Sequence, residues 1–164
     1  MNRVVLILLV LCTGLSSCKK GYDAAEQVRT QAAIDDKLIQ DYIADKNLST
    51  VAKRIDTTGV YYIVKVPGTG NDLFTNSTRI TVDYEGRILT TGEVFTTSNK
   101  FHPTFSLGEV IKGWQLGIPQ IKKGGKVRLL IPSRYAYGAF DQPDIGLPAN
   151  SVVDFDIELL DITN

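Results

Sequence analysis

The chain has 164 residues, of which 43% are hydrophobic and 22% charged, which suits one globular core with a short extra segment. Eighteen lysines and arginines balance eighteen aspartates and glutamates, and no basic cluster exceeds two consecutive residues, so electrostatic capture of nucleic acid is not expected. One histidine and two cysteines leave little material for a metal centre or a histidine-activated nucleophile.

Residues 1–17 begin with a positive charge at Arg3 and continue through the unbroken apolar run Val4 to Leu11, the pattern of an export signal rather than of a fold. The run is shorter than the roughly 20 apolar residues that a permanent membrane span needs. It ends at Leu15-Ser16-Ser17-Cys18, which resembles the bacterial lipobox, whose cysteine is acylated and becomes the first residue of the mature protein. The resemblance implies lipidation at Cys18; a plain secretory signal with an incidental Cys18 is the alternative. Cys12 lies inside the segment to be removed, so no disulfide is expected in the mature chain. Each acyl chain contributes about 0.8 kcal/mol per buried CH₂, and more than one holds a protein stably at a membrane, here facing out of the cytoplasm.

Residues 18–58 read as a tether and a helix. Asp23-Ala24-Ala25-Glu26 has the acceptor and the acid of a capping box, and Ile34, Leu38, Ile39, Tyr42 and Ile43 then form one apolar stripe. The pattern stops near Lys46-Asn47, giving a separate N-terminal helix of about 23 residues. Its stripe either docks on the domain behind it or makes a dimer contact. Ser49 to Thr58 has no clear period and reads as a linker.

The compact domain is expected over residues 59–164. Val60 to Val66 is β-branched and aromatic, and Pro67 to Asp72 is a turn. In Arg79 to Glu85, Ile80, Val82 and Tyr84 share one face and the charged and polar residues the other. Gly86 and Gly92 bracket a hairpin; Val94-Phe95 and Thr104 to Leu107 are short strands around a polar loop. Ile111, Trp114, Leu116, Ile118 and Ile121 make a short helix with one apolar face, carrying the only tryptophan. Lys126 to Pro132 and Val152 to Leu160 are strands, the last long enough to be central, with Val153, Phe155, Ile157 and Leu159 inward. Strands around one short helix give an α+β class, an antiparallel twisted sheet wrapped on the Trp114 helix. That core looks complete, so a chain starting near Thr57 is expected to fold alone.

Conventional catalysis is poorly supplied. His102 sits beside Pro103 in a polar loop and reads as solvated, no metal-binding cluster is spaced correctly, and Gly68-x-Gly70 opens a polar turn rather than a phosphate loop. No cofactor is expected.

What remains is an inward aromatic set, and from Gly59 to Ile162 the sequence closely resembles the FKBP-type peptidyl-prolyl cis-trans isomerases. The matching segments include Val82-Asp83-Tyr84-Glu85-Gly86, Gly92-Glu93-Val94-Phe95, Phe105-Ser106-Leu107-Gly108, Val110-Ile111-Lys112-Gly113-Trp114, Tyr135-Ala136-Tyr137-Gly138, Leu147-Pro148-Ala149-Asn150 and Phe155-Asp156-Ile157-Glu158-Leu159. The resemblance implies a pocket lined by Tyr84, Phe95, Val110, Ile111, Trp114, Tyr137 and Phe155, with Trp114 as floor and Leu147 as rim. It also implies two donors toward the carbonyls of a bound Xaa-Pro segment, the backbone N–H of Ile111 and the hydroxyl of Tyr137. Proline-containing polypeptides are the implied substrates, and macrolides of the tacrolimus type the implied ligands. The chain departs from the family at Thr96, where an aspartate is usual, at Pro103, and in the loop Phe140 to Gly146, with Gln142 near the common histidine position. An isomerase acting on exported proteins is the leading expectation; a proline-segment-binding or holdase module and a tethered structural domain are the rivals. A monomer is favoured.

Overall fold

The computed structural model describes residues 19–164, so the apolar leader and Cys18 lie outside the described residues. Helix α1 (Lys19–Asp45) precedes β1 (Lys53–Arg54), β2 (Tyr61–Val66), β3 (Arg79–Ile88), β4 (Val94–Thr97) and β5 (Thr104–Ser106). The short helix α2 (Lys112–Gly117), β6 (Gly125–Ile131) and β7 (Val153–Thr163) complete the chain, with 3₁₀ turns at Leu107–Glu109, Ile118–Gln120, Ser133–Tyr135 and Pro143–Ile145. The strands form one seven-stranded sheet in the order β1-β2-β6-β7-β3-β4, with β5 pairing the start of β3, and all the pairings are antiparallel. This is the expected α+β class. β7 lies between β6 and β3, the central place expected from its length.

Alternation decides what each face carries. Val127, Leu129 and Ile131 of β6 and Val153, Phe155, Ile157 and Leu159 of β7 point into the main core with Val82 and Trp114. Full burial of each aliphatic side chain stabilises by about 1.5–3 kcal/mol. Helix α2 lies close on this face because two of its residues have no side chain. A Cβ at Gly113 would stand 2.5 Å from Ile131, and one at Gly117 would stand 2.4 Å from Leu129. The backbone contact sets the height of Trp114 above the sheet.

Helix α1 covers the opposite face. Ile39 and Ile43 are buried there against Leu89, Leu130 and Val152, in a second, smaller core. Its end is a Schellman motif, with Leu48 N–H bonded to the Ile43 carbonyl at 2.8 Å, Asn47 N–H to Ala44 at 3.1 Å, and Asn47 at φ 54°. The helix ends at Asp45 and Asn47 closes it, near the expected stop at Lys46-Asn47.

Several expectations need correction. The helix is 27 residues long and begins at Lys19, so Asp23 lies within it and is not its cap; the single Gly21 costs only about 1 kcal/mol relative to alanine, too little to end a long helix. Ile34 is exposed, so only the later part of the stripe is covered. The segment read as a linker contains β1, which pairs with Tyr61 and Tyr62 at the edge of the sheet. Gly86 does not bound the hairpin but sits inside β3, where a Cβ would lie 2.5 Å from the ring of Phe155. The hairpin turns at Leu89 to Gly92, with the Gly92 N–H bonded to the Ile88 carbonyl at 2.8 Å and Gly92 at φ 73°.

Candidate active site

The inner face of β3 and β7, together with α2, assembles a set of crossed aromatic rings. Tyr84 of β3 meets Trp114 of α2 edge-on at 5.1 Å, and Trp114 meets Phe155 of β7 at 5.2 Å and 88°. Phe95 stands edge-on to both Phe155 (5.6 Å) and Tyr137 (5.9 Å). Such edge-to-face pairs contribute about 0.5–1.5 kcal/mol beyond their buried area and hold the rings at fixed angles.

These rings enclose a pocket of about 260 Å³ bounded by Tyr84, Thr96, Val110, Ile111, Trp114, Tyr137 and Phe155, with Phe105 and Glu109. Trp114, 5% exposed, lies deepest of its aromatic rings but for Phe155. Phe95 lies behind Tyr137 and Phe155, supporting the wall rather than lining it. Leu147, expected at the rim, is 2% exposed in the main core. The reason is local: Gln142 and Leu147 exchange backbone hydrogen bonds (2.8 and 3.1 Å), closing the loop into a tight hairpin that turns the leucine inward.

Phe105 was missing from the expected lining. Its signal was available, because β5 pairs Phe105 with Ile80, the first of the inward residues of β3. Gln115 was also missed: its amide donates to the carbonyls of Val110 (2.7 Å) and Gly108 (3.1 Å) and so fixes the loop that brings Val110 and Ile111 to the pocket. No pattern in the chain marks that contact.

The polar groups at the pocket are uncommitted. The Ile111 N–H, on the extended residue before α2 (φ −56°, ψ 148°), donates to no group among the described residues. The Tyr137 hydroxyl likewise has no partner among them, and burial pushes its pKa above the ordinary tyrosine value, with neighbouring Tyr84 adding to the effect. It is therefore a protonated donor at neutral pH. The Trp114 indole nitrogen is buried without a partner among the described residues. An orphaned buried donor costs about 1–3 kcal/mol and calls for an explanation. Thr96 lines the pocket without bonding the Tyr137 hydroxyl, so the weaker acceptor expected there is not engaged.

Outside the pocket lining, Ser98 stitches β3 to the loop after β4. Its hydroxyl donates to Asp83 (3.0 Å) and accepts from the Tyr84 N–H (3.2 Å). His102, expected as a solvated loop residue, is half exposed and sits 2.8 Å from Asp83, with φ 49°. Among the described residues no three His, Cys, Asp or Glu side chains are grouped to hold a metal ion. A larger groove of about 850 Å³ runs between α1 and residues 133–139, but it lacks the aromatic walls and the free donors of the smaller pocket.

An aromatic cavity with free N–H and O–H donors is suited to bind and desolvate an amide. Comparison with known proteins agrees. The sequence model of the FKBP-type peptidyl-prolyl cis-trans isomerase family matches residues 70–160. An FKBP-type peptidyl-prolyl cis-trans isomerase named FkpA from Buchnera aphidicola (subspecies Schizaphis graminum) is 36% identical over 156 residues, covering 94% of this chain. The chain spans 61% of that relative's length. A crystal structure of a peptidyl-prolyl cis-trans isomerase from Pseudomonas syringae superposes with a TM-score of 0.67 at 27% identity, covering 83% of this chain and 96% of that one. That of FkpA from Escherichia coli gives 0.63 at 29% identity, covering 99% and 83%. On its fold, its pocket and its sequence, the chain belongs to the FKBP-type peptidyl-prolyl cis-trans isomerase family.

Proposed function

We propose that this protein accelerates rotation about Xaa-Pro bonds in exported polypeptides. An Xaa-Pro amide must lose its resonance to rotate, against a barrier of about 18–20 kcal/mol, and uncatalysed exchange takes tens of seconds or more. The twisted amide has less charge separation than the planar one, so transfer from water to an apolar site favours it selectively. Each 1.4 kcal/mol of that preference is about tenfold in rate. The observation that carries the reading is the pair of uncommitted donors, Ile111 N–H and Tyr137 O–H, on the pocket that Trp114 floors. Those donors hold the carbonyls flanking proline while the apolar walls of Tyr84, Val110 and Phe155 surround the rotating bond. Magnetisation exchange on an Ala-Leu-Pro-Phe peptide tests it: cis and trans signals exchange faster with catalytic amounts of protein. Binding without faster exchange would instead make the protein a proline-binding or holdase module. Macrolides of the tacrolimus type are the ligands expected on the same aromatic walls and donors.

The protein acts outside the cytoplasm of a bacterial cell, held by a lipid on Cys18, as a monomer with no nucleic-acid partner. Support for the anchor comes from the apolar leader ending at Leu15-Ser16-Ser17-Cys18. Among the described residues no helix is long and apolar enough to cross a membrane. A Cys18→Ser variant is expected in the soluble fraction; its retention on membranes would contradict the anchor.

A further inference from the structure

Two consecutive acids of α1 meet two consecutive residues of the turn that precedes Tyr137. Asp35 is fully buried, and its Oδ2 accepts from both the backbone N–H (2.9 Å) and the hydroxyl (2.6 Å) of Ser133. Its Oδ1 accepts from the Gln31 amide at 2.7 Å. Asp36 accepts from Arg134 at 2.6 Å, and Arg134 also donates to the carbonyls of Thr58 (2.8 Å) and Ala32 (3.3 Å). Arg134 lies over the ring of Tyr135, 5.6 Å from its centroid.

Ser133 is in turn the support of the segment that follows. Its carbonyl accepts from the N–H groups of Ala136 and Gly138, both at 2.9 Å, so the two neighbours of Tyr137 hang from the residue that Asp35 holds. Asn150 closes the other side by donating to the Gly138 carbonyl at 2.8 Å. A carboxyl group is a costly means of fastening a helix to a sheet, since its burial must be matched by hydrogen bonds. Ile39 and Ile43 already fasten α1 by apolar contact further along. The polar grip of Asp35 and Asp36 instead falls on Ser133 and Arg134, in the turn that leads to Tyr137.

We propose that Asp35 is a positioning residue for Tyr137: through Ser133 it sets the turn that aims the Tyr137 hydroxyl at the bound proline segment. Helix α1 lies wholly outside the residues matched by the family model, 70–160. The inference rests on the proposed role of Tyr137 as a donor.

A double-variant cycle on the full chain separates positioning from simple anchoring of the helix. Exchange of the Ala-Leu-Pro-Phe peptide gives kcat/KM for wild type, Asp35→Ala, Tyr137→Phe and the double variant, with circular dichroism giving the folded fraction. Loss or misalignment of one hydrogen bond lowers the rate about 2- to 12-fold. Tyr137→Phe and Asp35→Ala are each expected in that range, and Asp35→Ala is expected to cost less than about twofold once Tyr137 is phenylalanine. Asp35→Asn, whose Oδ1 can still accept both Ser133 bonds, is expected to remain within about twofold of wild type. Where Asp35→Ala does not fold, Ser133→Ala, which removes only the hydroxyl contact, completes the same cycle. An equal loss from Asp35→Ala, or from Ser133→Ala, in both backgrounds would overturn the positioning role while leaving the donor role of Tyr137 intact. A fully active Tyr137→Phe variant would overturn the donor reading itself, and the positioning role with it.

Discussion

The two faces of the sheet are covered in contrasting ways. On one, Trp114, Tyr84, Phe155 and their aliphatic neighbours make an apolar core with a pocket at its edge, where Ile111 N–H, Tyr137 O–H and the Trp114 indole are uncommitted among the described residues. On the other, the polar groups are engaged. Arg128 donates twice to buried Asp154 (2.9 and 2.7 Å) and once to the Tyr42 hydroxyl (2.6 Å), and lies 5.4 Å from the centroid of the Tyr42 ring. The hydrogen bond to Asp154 holds the Arg128 pKa well above its ordinary value, even though burial opposes it. The face with the pocket keeps its donors free, and the face that holds α1 uses its polar groups for attachment. The two meet at Ser133.

The largest effect separating the faces comes from removing α1. A chain starting at Thr57 exposes Leu130, Leu89 and Val152 and leaves the Ser133 N–H without its carboxyl partner. Two buried isoleucines contribute about 3–6 kcal/mol together and the net hydrogen bond at Ser133, exchanged for one to water, about 0.5–1.5, so the loss is about 3.5–7.5 kcal/mol. Urea denaturation checks this, and an unchanged midpoint would instead support the independent domain expected from sequence. Next, Arg128→Leu leaves the Asp154 carboxylate buried and unpaired, which costs about 3–5 kcal/mol. Turnover per folded molecule should stay within about twofold, because Arg128 touches no group of the pocket; a larger fall would show that the faces are not separable in this way.

Thr96→Asp sharpens the comparison from the pocket side. A carboxylate beside the Tyr137 hydroxyl would engage one of the free donors with a charged acceptor, and the gain in exchange rate is up to about tenfold, reduced by desolvation of the new charge. Equal or lower activity with the fold intact would make Thr96 a neutral replacement. The smallest effect is one of pH. Because burial raises the Tyr137 pKa above its usual value of about 10, the hydroxyl remains protonated throughout neutral and mildly alkaline solution and is lost only as pH rises through the raised value. Exchange rates between about pH 6 and 9 should therefore be flat, and a fall within that window would assign the donor to another group.

How much of this was legible differs between the same two faces. Alternation in β3 and β7 placed Val82, Tyr84, Phe155 and Ile157 on one side, and the resemblance supplied the order of the pocket segments, because strand period and motif are both local properties. What covers the other side is not local. Leu130 reads as one more apolar residue of β6, and nothing near it in sequence announces that Ile39, 91 positions earlier, will pack on it. Leu147 failed for a related reason, since inward or outward placement in a loop depends on the bonds between Gln142 and Leu147 rather than on any period. Gly86 looked like a turn residue, and only the ring of Phe155 lying across β3 explains why a side chain is excluded there.

The central claim is that proline isomerisation occurs in the pocket floored by Trp114, and the protein has only one tryptophan to report on it. Titration with a tacrolimus-type macrolide, following tryptophan fluorescence and peptide exchange in the same samples, tests that directly. The account predicts that the exchange enhancement falls in proportion to the occupancy reported by Trp114 and vanishes at saturation. Undiminished exchange at full occupancy would place the catalysis elsewhere on the molecule.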